Sequence, residues 1–139
     1  MIWKNIAIGT VLIIITILIH SIMTRYLLQL AKKKKNPDTK HYQLSNEFWV
    51  AVIVVLLFLV TIAESSLWAG TYMIFGTFQT FEEALYFSIV TFTTLGYGDI
   101  TLDADWRLLA SIEASTGIII FGWSTAILMA VVQRLYFRK

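Results

Sequence analysis

Three long apolar stretches separated by charged residues set the pattern of this sequence. No charged residue lies between Lys4 and Arg25, a gap of about 20 residues that matches the length a helix needs to cross roughly 30 Å of hydrocarbon. A second run covers 48–63 and can extend further if Glu64 lies at the outer interface of the bilayer. A third covers 108–132 and contains a single acidic residue. The pattern predicts three transmembrane helices.

The stretch between the second and third runs is apolar but broken by glycines and acids. Thr80-Phe81-Glu82-Glu83 has the form of a capping box, in which the Thr side chain bonds a backbone N–H three residues on. A short helix should begin there, continue to Phe92 and end before Gly96 and Gly98, giving about 13 residues or roughly 20 Å. Such a helix enters the membrane without crossing it. Non-helical backbone at that depth is tolerated only where it is buried in protein or lines a watery path.

Composition and charge indicate the environment and the topology. Of the 139 residues, 58% are hydrophobic and 14% charged, against about half apolar and a quarter charged in soluble domains. Cysteine is absent, which excludes disulfides and thiolate metal sites. Most basic residues follow the first or the last run: Arg25, Lys32, Lys33, Lys34, Lys35, Lys40, Arg134, Arg138 and Lys139. The positive-inside rule then predicts an external N-terminus and a cytoplasmic C-terminus.

The segment Thr94-Leu95-Gly96-Tyr97-Gly98 has the chemistry that a dehydrated monovalent cation needs. Its glycines can adopt backbone angles closed to other residues, so successive carbonyls can be aimed to one side as a ladder of oxygens. The Thr94 hydroxyl adds a ligand at the cytoplasmic end, and four chains around one axis would surround each level with oxygens. One chain supplies a quarter of such a cage.

With Asp99, this segment resembles the signature of the potassium channel family, Thr-Val/Leu-Gly-Tyr/Phe-Gly-Asp. The resemblance covers roughly residues 45–135 and is to the bacterial two-span pore type. It implies an all-α membrane protein with three transmembrane helices plus a re-entrant pore helix and selectivity-filter loop, assembling as a homotetrameric channel. Potassium would pass passively, bound by backbone carbonyls of the filter. A bacterial inner membrane fits the resemblance, and no enzyme activity, cofactor or nucleic acid is expected.

The resemblance and the only proline, Pro37, divide the chain. We expect 1–35 to form a peripheral transmembrane helix, 36–44 a cytoplasmic linker, and 45–139 the pore module with outer helix, pore helix, filter and inner helix. Lys32, Lys33, Lys34 and Lys35 can attract anionic lipid, although topology alone accounts for them.

Supporting residues for the filter follow from the same resemblance. Tyr86 stands at one of the family's paired tryptophans and can donate a hydrogen bond to Asp99 at the outer mouth. Val90 stands where some bacterial members carry a glutamate, so a carboxyl pair behind the filter is not expected. Glu113 is an acid well inside the third run, which makes it a functional candidate. It is expected to brace the pore helix of its own or a neighbouring chain. The alternatives are pH sensing and a protonated or hydrogen-bonded structural glutamate near the outer third of the span.

Gating residues are expected along the inner helix. Gly117 matches the family's hinge glycine, close helix packing is an equally good interpretation, and Gly122 is a second hinge candidate. Thr125 should line the cavity, with Met129 and Gln133, one and two turns on, at the narrowing below it.

Two other functions compete with potassium conduction. The first is a weakly selective or non-conducting regulatory subunit, but a nonselective filter would usually break the Gly-Tyr-Gly sequence, which is intact. A small membrane enzyme could use Glu113 with His20 or Asp99 as acid and base, but the expected topology puts these residues on opposite sides of the bilayer. For His20, an interhelical hydrogen bond or a place at the cytoplasmic end is the simpler interpretation.

Overall fold

The computed structural model describes residues 2–33 and 42–136, which fold into four helices. They are α1 (Ile2–Lys33), α2 (Tyr42–Ile74), α3 (Phe81–Phe92) and α4 (Arg107–Tyr136). Segments of α1, α2 and α4 are long and apolar enough to cross a membrane: Ile2–Leu30, Asn46–Ile74 and Arg107–Tyr136. The prediction of an all-helical chain with three membrane spans is confirmed on these grounds. The basic run proposed as a lipid site, from Lys32 to Lys35, and the linker before Tyr42 lie outside the described residues or side chains.

The short helix α3 begins where the sequence predicts. Thr80 is its N-cap in extended conformation, and the Thr80 hydroxyl accepts a hydrogen bond from the N–H of Glu83 at 3.2 Å. This bond satisfies one of the four N–H groups that a helix start leaves without a partner. Two acidic residues in the first turn, Glu82 and Glu83, further favour a helix start at this point. The helix ends at Phe92.

Two apolar clusters hold the helices together. The first surrounds α3 and contains buried side chains from α2 and α4 such as Trp68, Tyr72 and Leu109 together with Phe87 and Phe92. The second joins α1, α2 and α4 towards their other ends, through Leu27, Ile53, Leu57, Ile127 and Val131. The first cluster fixes α3 and therefore the chain segment that follows it.

Helix α1 packs along α4 and α2. At its start, Asn5 donates from Nδ2 to the carbonyl of Asp105 at 2.7 Å, and the Lys4 ammonium lies 4.0 Å from the centre of the Trp106 ring. Gly9 lets α1 approach α4, because a Cβ atom at that position would lie 2.9 Å from the Ile112 side chain. The N-terminal end of α1 is thus attached to the loop that precedes α4.

Glu64, the acidic residue that follows the second apolar run, is enclosed by other helices of the chain. Glu64 is fully buried, ten residues before the end of α2, which is about 15 Å along the helix axis. The reason is a partner that the apolar pattern did not show. His20 of α1 lies with Nδ1 3.0 Å from Glu64 Oε1.

Candidate functional site

The segment 94–98, called the glycine loop below, folds back on the end of α3. The N–H groups of Leu95 and Gly96 donate to the carbonyl of Val90 at 3.0 and 3.2 Å, and the N–H of Thr94 donates to Thr91 at 2.9 Å. The N–H and C=O of one trans peptide point in opposite directions. The carbonyls of Thr94 and Leu95, which belong to the same peptides as the N–H groups bound to Val90, therefore point away from α3.

The backbone φ angles of the glycine loop alternate between the left-handed region and the ordinary region. Thr94, Gly96 and Gly98 have φ of +59°, +56° and +78°, whereas Leu95 and Tyr97 are not among the positive-φ residues. Alternation of left-handed and ordinary residues turns successive main-chain groups to one side. Thr94 is a β-branched residue in a conformation that costs of order 1–3 kcal/mol and that clusters at functional sites. The sequence predicted unusual backbone angles at the two glycines but not at Thr94.

The loop side chains and one face of α4 are exposed in the single chain. Leu95 and Tyr97 are 55% and 67% exposed although both are large and largely apolar. On α4, one hinge candidate and the three predicted cavity and gate residues share one exposed face at helical spacing: Gly122, then Thr125, Met129 and Gln133. The structure therefore places these four residues on one face, as their spacing predicts, with their roles in gating still predictions.

A hydrogen bond joins the C-terminal end of the glycine loop to α3. The Tyr86 hydroxyl donates to Asp99 Oδ2 at 2.7 Å, the hydrogen bond expected from the sequence. This bond lowers the pKa of Asp99 below its ordinary value, because it stabilises the ionised carboxylate, and it raises the pKa of Tyr86. With the Val90 bonds at one end and the Tyr86 bond at the other, α3 holds the glycine loop at both ends.

A cluster of buried polar side chains lies around Glu113, between α2, α3 and α4. The Tyr72 hydroxyl lies 2.6 Å from Glu113 Oε2, and the Ser88 hydroxyl lies 2.5 Å from Glu113 Oε1. Ser88 Oγ also lies 2.7 Å from the backbone carbonyl of Ser65. Glu113 thus contacts the pore-helix candidate α3 of its own chain. Nothing in the sequence pattern marked Tyr72, Ser88 or Ser65 as its partners.

Gly117 allows α4 to touch the backbone at the end of α3. A Cβ atom at position 117 would overlap the carbonyl oxygen of Phe92 and lie 2.8 Å from its carbonyl carbon. Gly122 has open space around it. The geometry therefore accounts for Gly117 by close packing, one of the two interpretations that the sequence left open, while the hinge role of either glycine stays a prediction.

A second buried polar group joins α1 to the other helices. Besides its contact with Glu64, His20 has its Nε2 3.4 Å from the Ser124 hydroxyl of α4, and its ring packs edge-on against Trp123. The interhelical hydrogen bond expected of His20 is present. The sequence carried a signal for the pairing, since an isolated histidine and an isolated acid are each costly in a bilayer.

The residues of the alternative enzyme are not brought together. His20 bonds Glu64, Glu113 bonds Tyr72 and Ser88, and Asp99 bonds Tyr86. Within the described part of the chain, no group of three or more His, Asp or Glu side chains could hold a metal ion.

Comparison with known proteins gives one finding. Residues 47–134, more than half of the chain, match a protein family described as ion channel. No curated protein and no solved structure matches the chain. The matched segment contains α3, the glycine loop and most of α2 and α4, whereas α1 lies outside it.

Proposed function

Because the chain belongs to the ion channel family, we propose that it is one subunit of a homotetrameric, potassium-selective channel whose filter is the glycine loop, residues 94–98. Potassium would move passively, down its electrochemical gradient. Each chain would contribute one outer helix, α2, one re-entrant pore helix, α3, and one inner helix, α4.

The observation that carries this proposal is the alternating backbone of the glycine loop. Positive φ at Thr94, Gly96 and Gly98, with ordinary φ between them, favours carbonyls that face one side. The hydrogen bonds of Leu95 and Gly96 to Val90 turn two of these carbonyls away from α3. Four such rows around an axis would replace the hydration shell of a potassium ion with oxygens.

The exposed surface of the single chain supports assembly around that axis. Carbonyls of an irregular loop cannot face lipid, since each unsatisfied polar group costs several kcal/mol in hydrocarbon. Four chains would surround the loop with protein on one side and a watery path on the other. The exposed face of α4 with Thr125, Met129 and Gln133 would then line the cavity and its inner narrowing, and Gly117 and Gly122 are its hinge candidates.

Charge around the loop fits the outward orientation that the basic clusters predict. Five exposed acids precede and follow the glycine loop, against two cations at this end, Arg107 and Lys4: Glu82, Glu83, Asp99, Asp103 and Asp105. An acidic rim concentrates cations at an entrance. We place this end outside the cell and the C-terminus in the cytoplasm, with the bacterial inner membrane as the proposed location.

Flux measurements on the purified, full-length protein in liposomes test the proposal. We expect potassium-loaded vesicles to release their ion, sodium-loaded vesicles to retain it, and barium to block the release. Gly96→Ala should lower potassium flux at least about fivefold, because Ala at a positive φ costs roughly 1–2 kcal/mol and disturbs the alternation. Gly70→Ala is the matched control, since Gly70 is helical and also has open space around it.

The possible results separate the parts of the proposal. Equal sodium and potassium flux would overturn the selectivity assignment. An absence of flux from a protein shown to be tetrameric would favour a closed gate or the regulatory-subunit alternative. Equal flux in the Gly96 and Gly70 variants would show that the glycine loop does not set conduction.

A further inference from the structure

We propose that Glu113 is a neutral carboxylic acid whose proton completes a chain of hydrogen bonds through α4, α3 and α2, and that this chain positions the helix carrying the filter. The inference rests on the proposed function in one respect, since a positioning role presupposes that the glycine loop is a filter. The protonation of Glu113 rests on the geometry alone.

Three oxygen–oxygen contacts define the chain. Tyr72 Oη lies 2.6 Å from Glu113 Oε2, Glu113 Oε1 lies 2.5 Å from Ser88 Oγ, and Ser88 Oγ lies 2.7 Å from the carbonyl oxygen of Ser65. Each distance is in the range of a hydrogen bond between two oxygens. Each contact therefore needs one hydrogen between the two atoms.

Counting the available hydrogens assigns the third one to Glu113. Tyr72 and Ser88 each bring one hydroxyl hydrogen, and a peptide carbonyl such as that of Ser65 brings none. The Ser88 hydrogen must point at Ser65, because the carbonyl can only accept. The Glu113 Oε1 then donates to Ser88, and Oε2 accepts from Tyr72. An ionised Glu113 would leave one pair of oxygens facing each other with lone pairs alone.

The surroundings of Glu113 agree with this assignment. Glu113, Tyr72 and Ser88 are all fully buried. In the described part of the chain the one ion pair found joins His20 to Glu64, so no cation is paired with Glu113. An unpaired ionised carboxylate in an apolar interior is far more costly than the neutral acid.

The chain of hydrogen bonds acts on the filter through α3. Ser88 lies near the middle of α3, two residues before Val90, whose carbonyl receives the N–H groups of Leu95 and Gly96. A shift of Ser88 would move that carbonyl, and the loop amides bonded to it would follow. Glu113 is therefore a positioning residue: it contacts neither the ion nor the filter.

Infrared spectroscopy of the purified protein tests the protonation directly. The difference spectrum of wild type minus Glu113→Gln at neutral pH should show the C=O stretch of a protonated carboxylic acid, shifted in D2O. In Tyr72→Phe the same band should persist and move to higher frequency, because its C=O loses a hydrogen bond. Carboxylate bands in place of the acid band would overturn the assignment.

Flux measurements test the positioning role with a conservative rescue. Gln at position 113 reproduces the bonding of the neutral acid, since its amide N–H can donate to Ser88 and its amide oxygen can accept from Tyr72. Glu113→Leu leaves the buried Tyr72 hydroxyl without a partner. We expect potassium flux at least about tenfold higher in the Gln variant than in the Leu variant.

Equal flux in the Gln and Leu variants would overturn the positioning role. The protonation is overturned by carboxylate bands in the infrared spectrum and not by flux, because Gln at position 113 can form the same two hydrogen bonds whether the native acid is neutral or ionised. The infrared result does not depend on conduction, so a failure of the proposed function and a failure of the proton assignment are distinguishable.

Discussion

The contact between Gly117 and the end of α3 gives a sharp test of how α3 is held in place. A Cβ atom at position 117 would overlap the carbonyl oxygen of Phe92 and lie 2.8 Å from the carbonyl carbon. Carbon atoms in contact are normally about 3.5–4.0 Å apart. Because the carbonyl oxygen overlaps more than the carbonyl carbon does, Gly117→Ala requires α4 and α3 to separate by more than about 1 Å, and the atoms that resist belong to the main chain.

This overlap sets the free-energy cost of Gly117→Ala. Inserting a methyl group into a close-packed contact typically costs about 1–3 kcal/mol. A difference of that size changes the equilibrium between a correctly placed and a displaced α3 by roughly 5- to 150-fold. Phe92 lies two residues before Thr94, the first residue of the glycine loop. The displacement should therefore reach the carbonyls of the glycine loop, which we propose bind potassium.

The assay compares Gly117→Ala with Gly70→Ala in liposomes. Position 70 has no atom within 4 Å of an added Cβ, so it controls for the exchange of glycine for alanine in a helix. We expect the Gly117 variant to lose at least about tenfold in potassium flux and to discriminate less well against sodium. The Gly70 variant should keep both properties within about twofold.

The selectivity measurement separates packing from a hinge. If Gly117 served only as a hinge, alanine would stiffen α4 and change how often the channel opens, while the potassium-to-sodium ratio stayed the same. Wild-type flux and wild-type selectivity in Gly117→Ala would refute the reasoning from packing altogether.

Two further predictions concern the outer mouth and α1. Tyr86→Phe should raise the pKa of Asp99 towards its ordinary value of about 3.9. The carboxylate is ionised above that value and is lost as the pH falls, so external acid should inhibit flux at a higher pH in Tyr86→Phe than in wild type; coincident pH profiles would contradict this. His20→Leu leaves the buried Glu64 without its hydrogen-bond partner and should destabilise the fold by about 1–3 kcal/mol. Thermal unfolding in detergent should show that His20→Leu combined with Glu64→Leu recovers most of that loss, and equal melting temperatures for the single and double variants would contradict it.

Much of the fold follows from the sequence because its signals are local. The lengths of the apolar runs predicted three membrane spans, and α1, α2 and α4 confirm them. Thr80 and Glu83 marked the start of α3, because a capping hydrogen bond forms between residues three positions apart. The family of the chain was also readable from the short run 94–99, and the family match confirms an ion channel.

The sequence could not decide which buried polar groups meet. Tyr72 and Ser88 reach Glu113 across 41 and 25 positions in the chain, and His20 reaches Glu64 across 44. Such pairs depend on how whole helices pack, and helix packing is set by many side chains at once. The close approach at Gly117 and the left-handed backbone of Thr94 also depend on how the helices pack.

The sequence alone determined what lies in the membrane, where the short helix starts and which six residues resemble a filter, since each depends on hydrophobicity or on neighbours along the chain. The tertiary structure alone decided what holds α3, the helix before the glycine loop, in place. Its supports are contacts between helices far apart in sequence: a carboxyl group bonded to two hydroxyls behind α3, and a glycine that lets α4 touch its end.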